Sequence, residues 1–576
     1  MSRIESIHNR VRAVRQVGRA LGRTLGAELA EGTLLSTLKQ SRAERTLSFA
    51  AEPSFGELLQ QRAEQSPDEP LLYFERQVVS HREVNRRVNA LAAGLSAAGI
   101  EPGDNVAIFS PNCPEFIYGF FALQKLGIGT VPLNAALVGD GLHYVLDNAR
   151  ARAVIVHASL APQLMAVRQR LPELEHIFVI LDGQAGVGGL PSIEGLLTKH
   201  SNAKDPTTRP NPDDVALLLY TSGTTGAPKG VVYRFRDSNT KRMRLLAHLL
   251  YSADDVLFTC LPLFHANALL LSAVQALNAK VPLVLARKFS ARRFWEDISK
   301  SGATTFNALG AMIPILLKQP EGPFDRAHQV RLVVSAACPA SAWRDFEERF
   351  GVRIVEAYGA VDAGGFITLN LGNAPVGSIG KPLGGARYRL VDDAGVDVPT
   401  GSPGQLLVFA KGKGARPVEY YRNEDATEDK VRDGWIHTGD IMFHDDAGFL
   451  YFAGRNTDSM RRRGENVSAF EVESVLDQHP DVVESAVFGV PSELGEDDIM
   501  AALVPVVGRS IDPAAVLAWL DGRVARHAHP RFIDVVEELP KTGTHRTQKS
   551  ILKERGVTER TFDADRAHHE TQRMGA

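Results

Sequence analysis

From about residue 53 to 400, short apolar runs alternate with segments of helical period, the pattern of an α/β protein. Residues 57–65 and 81–99 read as helices, and 116–126 is apolar nearly all round, which predicts an interior helix. Residues 105–109, 153–156, 177–181, 215–220, 256–259 and 281–285 predict buried strands. From 401 to 452 the pattern changes to short strands parted by Gly, Pro and Asp turns, as in a small barrel. A second change of composition falls near 454–458. Beyond it, 470–478 and 513–524 read as helices and 483–490 and 501–506 as strands. That is enough for an independent domain of roughly a hundred residues. The expected fold is α/β, with a large multi-subdomain N-terminal domain (two α/β sheets plus a small β-barrel) over 53–453. A small mobile α+β domain follows over 454–556, then a polar, loosely ordered tail over 557–576.

Composition narrows the class. At 576 residues the chain exceeds what one core serves. A formal net charge of -3 gives no sign of nucleic-acid binding. Cys113, Cys260 and Cys338 stand far apart, which supports neither a disulfide framework nor a zinc cluster and fits a reducing, cytoplasmic setting. No apolar run reaches spanning length. Residues 1–52 depart from the average: Ile4, Ile7, Val11, Val14, Val17, Leu21 and Leu25 recur every three or four positions among many arginines. Such a basic amphipathic helix can lie on an anionic membrane surface as a peripheral contact, or dock on the protein with its arginines solvated. Gly18 and Gly22 weaken the helix, and it lacks the short unbroken apolar core of a secretory signal.

The densest chemical signal follows the strand at 215–220. Thr221, Ser222, Gly223, Thr224, Thr225, Gly226, Ala227, Pro228, Lys229 and Gly230 form a loop rich in hydroxyls and backbone N–H donors, closed by one lysine. Gly allows close approach to a phosphate, the donors carry no competing negative charge, and Lys229 adds a mobile positive one. The spacing is not that of a Walker A loop. Taken alone, the stretch reads either as a polyphosphate grip or as a flexible surface loop.

Further islands decide between these. They are Leu261-Pro-Leu-Phe-His265, Glu356-Ala-Tyr-Gly-Ala-Val-Asp362, Gly377-Ser-Ile-Gly-Lys-Pro382, Gly434-Trp-Ile-His-Thr-Gly-Asp440, Gly454-Arg455, Arg463-Gly-Glu-Asn466 with Glu471-Val-Glu473, and Pro540 to Lys549. In this order and spacing the chain resembles the AMP-forming acyl-CoA synthetases of the adenylate-forming superfamily, over about residues 53 to 556. It looks most like the crotonobetaine/carnitine–CoA ligase and fatty acid transport protein branches. The resemblance implies an active site in the cleft between a large and a small domain. It also implies ATP, Mg²⁺, coenzyme A as co-substrate and a small carboxylic acid; a homodimer is compatible with it.

The resemblance also assigns roles. Thr221 to Lys229 would hold the β- and γ-phosphates and Asp362 the Mg²⁺, a hard ion suited to a carboxylate. Asp440 would accept both ribose hydroxyls, with Arg455 adding charge or contacting the ribose. The backbone of Ala336, Ala337 and Cys338 would sandwich the adenine with Tyr358 and Gly359. His265 would stand between the carboxylate site and the pantetheine channel, although a histidine after an apolar run is also consistent with an interior residue. Arg461 and Gly464 would enter the cleft after adenylation, once the small domain rotates about the stretch near Thr457. Trp435 and His437 read as packing.

Two positions depart from the family pattern. Val361 stands where the family usually has a threonine, and Asp362 carries its carboxylate one methylene shorter than the usual glutamate. Arg546 aligns with the adenylation lysine, and its planar fork does not replace a compact ammonium. Lys549, three residues on, aligns with a second basic position that could substitute in part. These departures leave the first half-reaction open to being slow, altered or lost. The acyl pocket implied by the resemblance contains Gly310, Ala311, Ala336, Ala337, Gly364 and Gly365 beside Leu269, Leu309, Met312 and Phe366. Small residues beside apolar ones predict a roomy apolar pocket. That favours a medium- or long-chain, alicyclic or aromatic acid over acetate or an amino acid; a trimethylammonium acid would need an aromatic cage, weakly represented here. Three functions follow for testing. They are an acyl-CoA ligase, an acyl-AMP ligase serving a carrier protein, and a weakly active or non-catalytic relative that aids lipid uptake.

Overall fold

The computed structural model describes residues 53–566 together with Gly18, apart from 208, 222–226, 238–239, 311, 373, 384–385, 411–417, 456–458, 463–464, 493–496, 522, 525 and 542–546. The helix expected in residues 1–52 therefore lies outside the described residues, Gly18 excepted. Among the described residues no helix is long and apolar enough to cross a membrane.

A first sheet runs in the order His176–Ile180, Ala151–His157, Asn105–Phe109, Gly129–Leu133, Val215–Thr221, Lys229–Arg234. Its first five strands are parallel and the last is antiparallel. Parallel strands covered on both faces read as unbroken apolar runs, and Asn105–Phe109 is buried at every position. The helix Pro114–Leu126 packs beneath it, started by Pro114 and stopped by Gly127 in the left-handed conformation at φ 72°. Its Phe116, Tyr118, Phe120 and Phe121 are all buried, as a helix apolar on every side requires.

A second, larger sheet begins with parallel strands and becomes antiparallel. Leu332–Ala336 lies between Thr305–Leu309 and Arg353–Ala360, parallel to both. Arg353–Ala360 then pairs antiparallel with Gly365–Asn370, and through Ser378–Pro382 the sheet passes into Leu450–Arg455, Trp435–His444, Gly404–Phe409 and Tyr388–Val391. Those last strands enclose a separate apolar cluster that includes Ile379, Leu406, Ile436 and Met442. Arg353–Ala360 is thus the strand at which the parallel region ends.

The small domain has the sheet order Val482–Pro491, Asp497–Pro505, Phe532–Val535, Phe562–Asp563. Alternation along Val482–Pro491 sends Val487 into one apolar cluster with the helices Ala469–Leu476 and Pro513–Leu520. Ala486, Phe488 and Val490 enter another, with Leu552 of the helix Lys549–Arg555. Residues 557–566 fold back onto this sheet: Phe562 pairs with Ile533, and Asp563 meets the Arg531 guanidinium at 3.2 Å.

Candidate active site

Seven consecutive residues, Glu356 to Asp362, run along the strand Arg353–Ala360 and past its end, and they touch three different parts of the molecule. Successive side chains on a strand alternate, so Glu356 and Tyr358 share a face.

Glu356 is 2% exposed. Its carboxylate accepts hydrogen bonds from the backbone N–H groups of Ala337 and Cys338, the latter at 3.2 Å, and so fixes the turn that follows Leu332–Ala336. Ala337 sits in the left-handed region at φ 67°, which costs a non-glycine residue free energy unless its surroundings hold it. The Ala337 carbonyl in turn presses on Gly310, where an added Cβ would lie 1.9 Å from that oxygen. Burial pushes the Glu356 carboxyl up to about 7, against the opposing pull of the two N–H donors.

Two residues on, the Tyr358 hydroxyl donates to Asp440 Oδ2 at 2.5 Å. Arg455 Nε meets the other oxygen, Asp440 Oδ1, at 2.9 Å. The register explains the second contact, since Asp440 and Arg455 lie directly opposite each other on paired antiparallel strands. Asp440 is nearly fully buried, so its carboxylate is aimed by two partners while lone pairs remain on both oxygens.

At the far end of the segment, the Tyr420 hydroxyl donates to Asp362 Oδ2 at 2.7 Å and Lys430 Nζ meets the same oxygen at 3.0 Å. Burial works to raise the Asp362 carboxyl, but the Lys430 ammonium and the Tyr420 hydroxyl outweigh it and hold it below its ordinary value. Tyr420 also carries Lys229 over its ring, 5.3 Å from the centroid. Its backbone bridges Val231, and the N–H of Tyr421 donates to the Gly230 carbonyl at 2.7 Å. Thr221 and Lys229 are cross-strand partners at the facing ends of their antiparallel strands. Ser222, Gly223, Thr224, Thr225 and Gly226 lie outside the described residues.

Val361 has an apolar reason for its identity. It packs with Val231, Tyr233, Tyr420 and Ala426, so a methyl-bearing side chain wedges the hairpin strand against the Tyr420 segment. Asp362 suits magnesium: both side-chain contacts above fall on Oδ2, which leaves Oδ1 to meet a hard cation that takes its other ligands from phosphate and water.

His265 precedes the helical turn Ala266–Ala268, which runs into the π-helical turn Leu269–Val274. Its ring lies 4.4 Å from that of buried Phe264. Nearby, buried Asn307 donates to Asn267 Oδ1 at 2.8 Å. Gly310 revises the expectation of a wide pocket at that point, because its missing Cβ makes room for the Ala337 carbonyl, not for an acid. Gly365, by contrast, faces open space at φ 96°.

In the small domain, Lys549 opens the helix Lys549–Arg555 and pairs with Glu473 Oε1 at 2.8 Å, so its ammonium is engaged within its own domain. Arg461 pairs with Asn466 in the hairpin Ser459–Arg462/Glu465–Ser468, while Gly464 and Arg546 lie outside the described residues. Trp435 stacks edge-on with Phe409, a packing contact.

Sequence reasoning assigned no role to Glu356, Tyr420 or Lys430. A carboxylate inside the apolar run Arg353–Ala360 is a visible signal for Glu356, since a buried charge needs partners. Tyr420 and Lys430 reach Asp362 from 58 and 68 residues away, a proximity no local pattern announces.

This fold is that of the AMP-binding enzymes, and the chain belongs to that family of acid–thiol ligases. The AMP-binding enzyme model matches residues 59–413, and the AMP-binding enzyme C-terminal domain matches 471–546. A crotonobetaine/carnitine–CoA ligase of Salmonella agona is 31% identical over 484 residues, 82% of this chain and 93% of that protein. Among solved structures, the anthranilate CoA ligase AuaEII in complex with anthranoyl-AMP superposes with a TM-score of 0.78 at 27% identity, covering 88% of this chain and 99% of that one. The o-succinylbenzoate CoA synthetase of Bacillus subtilis, in complex with ATP and magnesium ion, gives 0.73 at 25% identity, covering 86% and 99%.

Proposed function

We propose that this chain is a cytoplasmic, ATP- and magnesium-dependent ligase that joins an apolar carboxylic acid to coenzyme A through an acyl-adenylate. The order of contacts along Glu356 to Asp362 carries the reading. A turn suited to a base, a buried carboxylate suited to ribose hydroxyls and a carboxylate beside the Thr221–Lys229 hairpin follow one another as the parts of ATP do. In the first half-reaction a substrate carboxylate oxygen attacks the α-phosphorus in line and pyrophosphate leaves. In the second, the thiolate of coenzyme A attacks the acyl carbon and AMP leaves. The protein's part is to position and to neutralise charge. Asp440 aims at the ribose, Glu356 holds the base-binding turn, and Thr221 and Lys229 frame the phosphates. Asp362 would hold magnesium, which supplies charge neutralisation on the polyphosphate.

The acid pocket implied by the family resemblance contains Leu269, Met312 and Phe366 with the open Gly365, a set that favours an alicyclic, aromatic or longer aliphatic chain. The test is a panel of such acids assayed for AMP and acyl-CoA, with wild type, Arg546→Lys and Lys549→Ala in parallel. AMP formation that needs both the acid and Mg-ATP, and thioester only when coenzyme A is present, is the expected result. Arg546→Lys is expected to speed adenylation and Lys549→Ala to leave it within about twofold, because Lys549 is paired with Glu473. Accumulating acyl-AMP without any dependence on coenzyme A would point instead to a carrier-protein ligase. Absence of turnover across the panel would sink the ligase reading.

A further inference from the structure

The Asp362 carboxylate is engaged by a lysine other than the one that closes the hairpin. Lys430 is the last residue of the helix Glu424–Lys430, which Asn423 caps by accepting from the Ala426 N–H at 3.0 Å. The same short unit carries Tyr420, whose N–H is held at 2.9 Å by the Thr427 hydroxyl. One rigid segment thus delivers a phenol and an ammonium to one oxygen of Asp362, and the phenol ring in turn bears Lys229. The Lys430 side chain is 12% exposed, and apart from Asp362 its described contact is the Thr438 carbonyl at 3.4 Å.

Two ammonium groups, Lys430 on the carboxylate and Lys229 over the Tyr420 ring, share the cluster with one carboxylate and leave it with an excess of positive charge. An excess of that sign, close to a single carboxylate, fits a polyanion. A cation arriving at Asp362 would repel the Lys430 ammonium, while phosphate oxygens arriving with it would attract that ammonium. Lysine's flexible four-carbon stem lets its head group exchange one anionic oxygen for another without backbone movement.

Resting on the proposed ATP site, we propose that Lys430 is a polyphosphate ligand of this chain: it neutralises Asp362 when no nucleotide is bound and passes its ammonium to a β- or γ-phosphate oxygen when a nucleoside triphosphate binds. Lys430 then supplies part of the charge neutralisation otherwise left to the metal, and it vacates Asp362 for that metal on the same event.

Calorimetric ATP titrations of the full-length chain, in EDTA and in excess magnesium, test this without turnover. Asp362→Asn frees the ammonium, so it is expected to bind metal-free ATP at least threefold more tightly than wild type while losing most of the gain that magnesium confers. The double variant Asp362→Asn/Lys430→Met removes one charge of each sign and leaves the net charge of the cluster unchanged, which guards against misfolding from an unpaired charge. It is expected to bind metal-free ATP at least tenfold more weakly than Asp362→Asn, and Asp362→Asn/Lys430→Arg to recover most of that loss. Equal metal-free affinities in Asp362→Asn and the Lys430→Met double variant, both with intact melting transitions, would overturn the role of Lys430 alone. A wild-type chain that binds ATP neither with nor without magnesium would overturn the ATP site as well.

Discussion

Asp440 is the residue on which the ribose assignment rests, and its two partners make distinct predictions. Tyr358→Phe removes one donor to a charged acceptor at an aligned, intact carboxylate, so ATP should bind about tenfold more weakly, near the 1.5–3 kcal/mol of such a bond at its lower end. Asp440→Ala removes a buried carboxylate together with its hydrogen bond from Tyr358 and its ion pair with Arg455, so it should abolish measurable ATP binding and also lower the melting temperature. Glu356 makes a prediction in pH. Between about pH 4.5 and 7 the folded protein keeps a proton on Glu356 that the unfolded chain has lost, so this residue makes stability fall as pH rises through that window. The shift from 4.5 to about 7 corresponds to about 3 kcal/mol. Glu356→Gln cannot ionise, so its melting temperature relative to wild type should be more favourable at pH 8 than at pH 5. A difference that does not change with pH would refute the burial argument.

At the scale of elements, the hairpin Val215–Thr221/Lys229–Arg234 and the turn after Leu332–Ala336 make the proposed site, and the two were legible in the sequence to different degrees. The apolar run at 215–220 predicted the first hairpin strand nearly to its ends. Nothing local announced that Lys229–Arg234 would return antiparallel beside it, because Lys229 and Gly230 read as loop and the pairing depends on the neighbouring Tyr420 segment. The strands read at 105–109 and 177–181 and the helix read at 116–126 stood out because burial leaves an unbroken apolar signature, and they form as Asn105–Phe109, His176–Ile180 and Pro114–Leu126. The turn at Ala336–Cys338 entered only through the family resemblance; its buttress, the close approach of Gly310 to the Ala337 carbonyl, is a contact across parallel strands that periodicity does not encode. Gly310→Ala should therefore displace the turn, raising the KM for ATP severalfold and costing about 1–3 kcal/mol of stability, the usual range for overpacking. Steady-state kinetics with a urea melt of the same variant checks both.

At the scale of the molecule, one lysine joins the domains. Lys318, just past the helix Met312–Leu317 of the large domain, donates to the carbonyls of Asp477, Val482 and Val483 in the small domain at 3.1, 2.6 and 2.6 Å. Asp477 directly follows the helix Ala469–Leu476, whose C-terminal carbonyls carry partial negative charge that favours a cation. Burial holds the Lys318 ammonium below its ordinary pKa, so the bond is made at a desolvation cost that only the docked orientation offsets. Lys318→Met should loosen that orientation, seen as faster proteolysis around residues 454–458 and a changed ratio of adenylate formation to thioester formation. Unaltered proteolysis and an unaltered ratio would show that other contacts set the domain arrangement.

The elements gathered along Glu356 to Asp362 are proposed to bind ATP in order to activate an acid. Isotope exchange between labelled pyrophosphate and ATP measures that step alone, in the absence of coenzyme A. Exchange is expected only when an apolar carboxylic acid and magnesium are both present, and is expected to be lost in Asp440→Ala. Exchange indifferent to the acid, or none with any acid in a protein that binds Mg-ATP, would contradict that role.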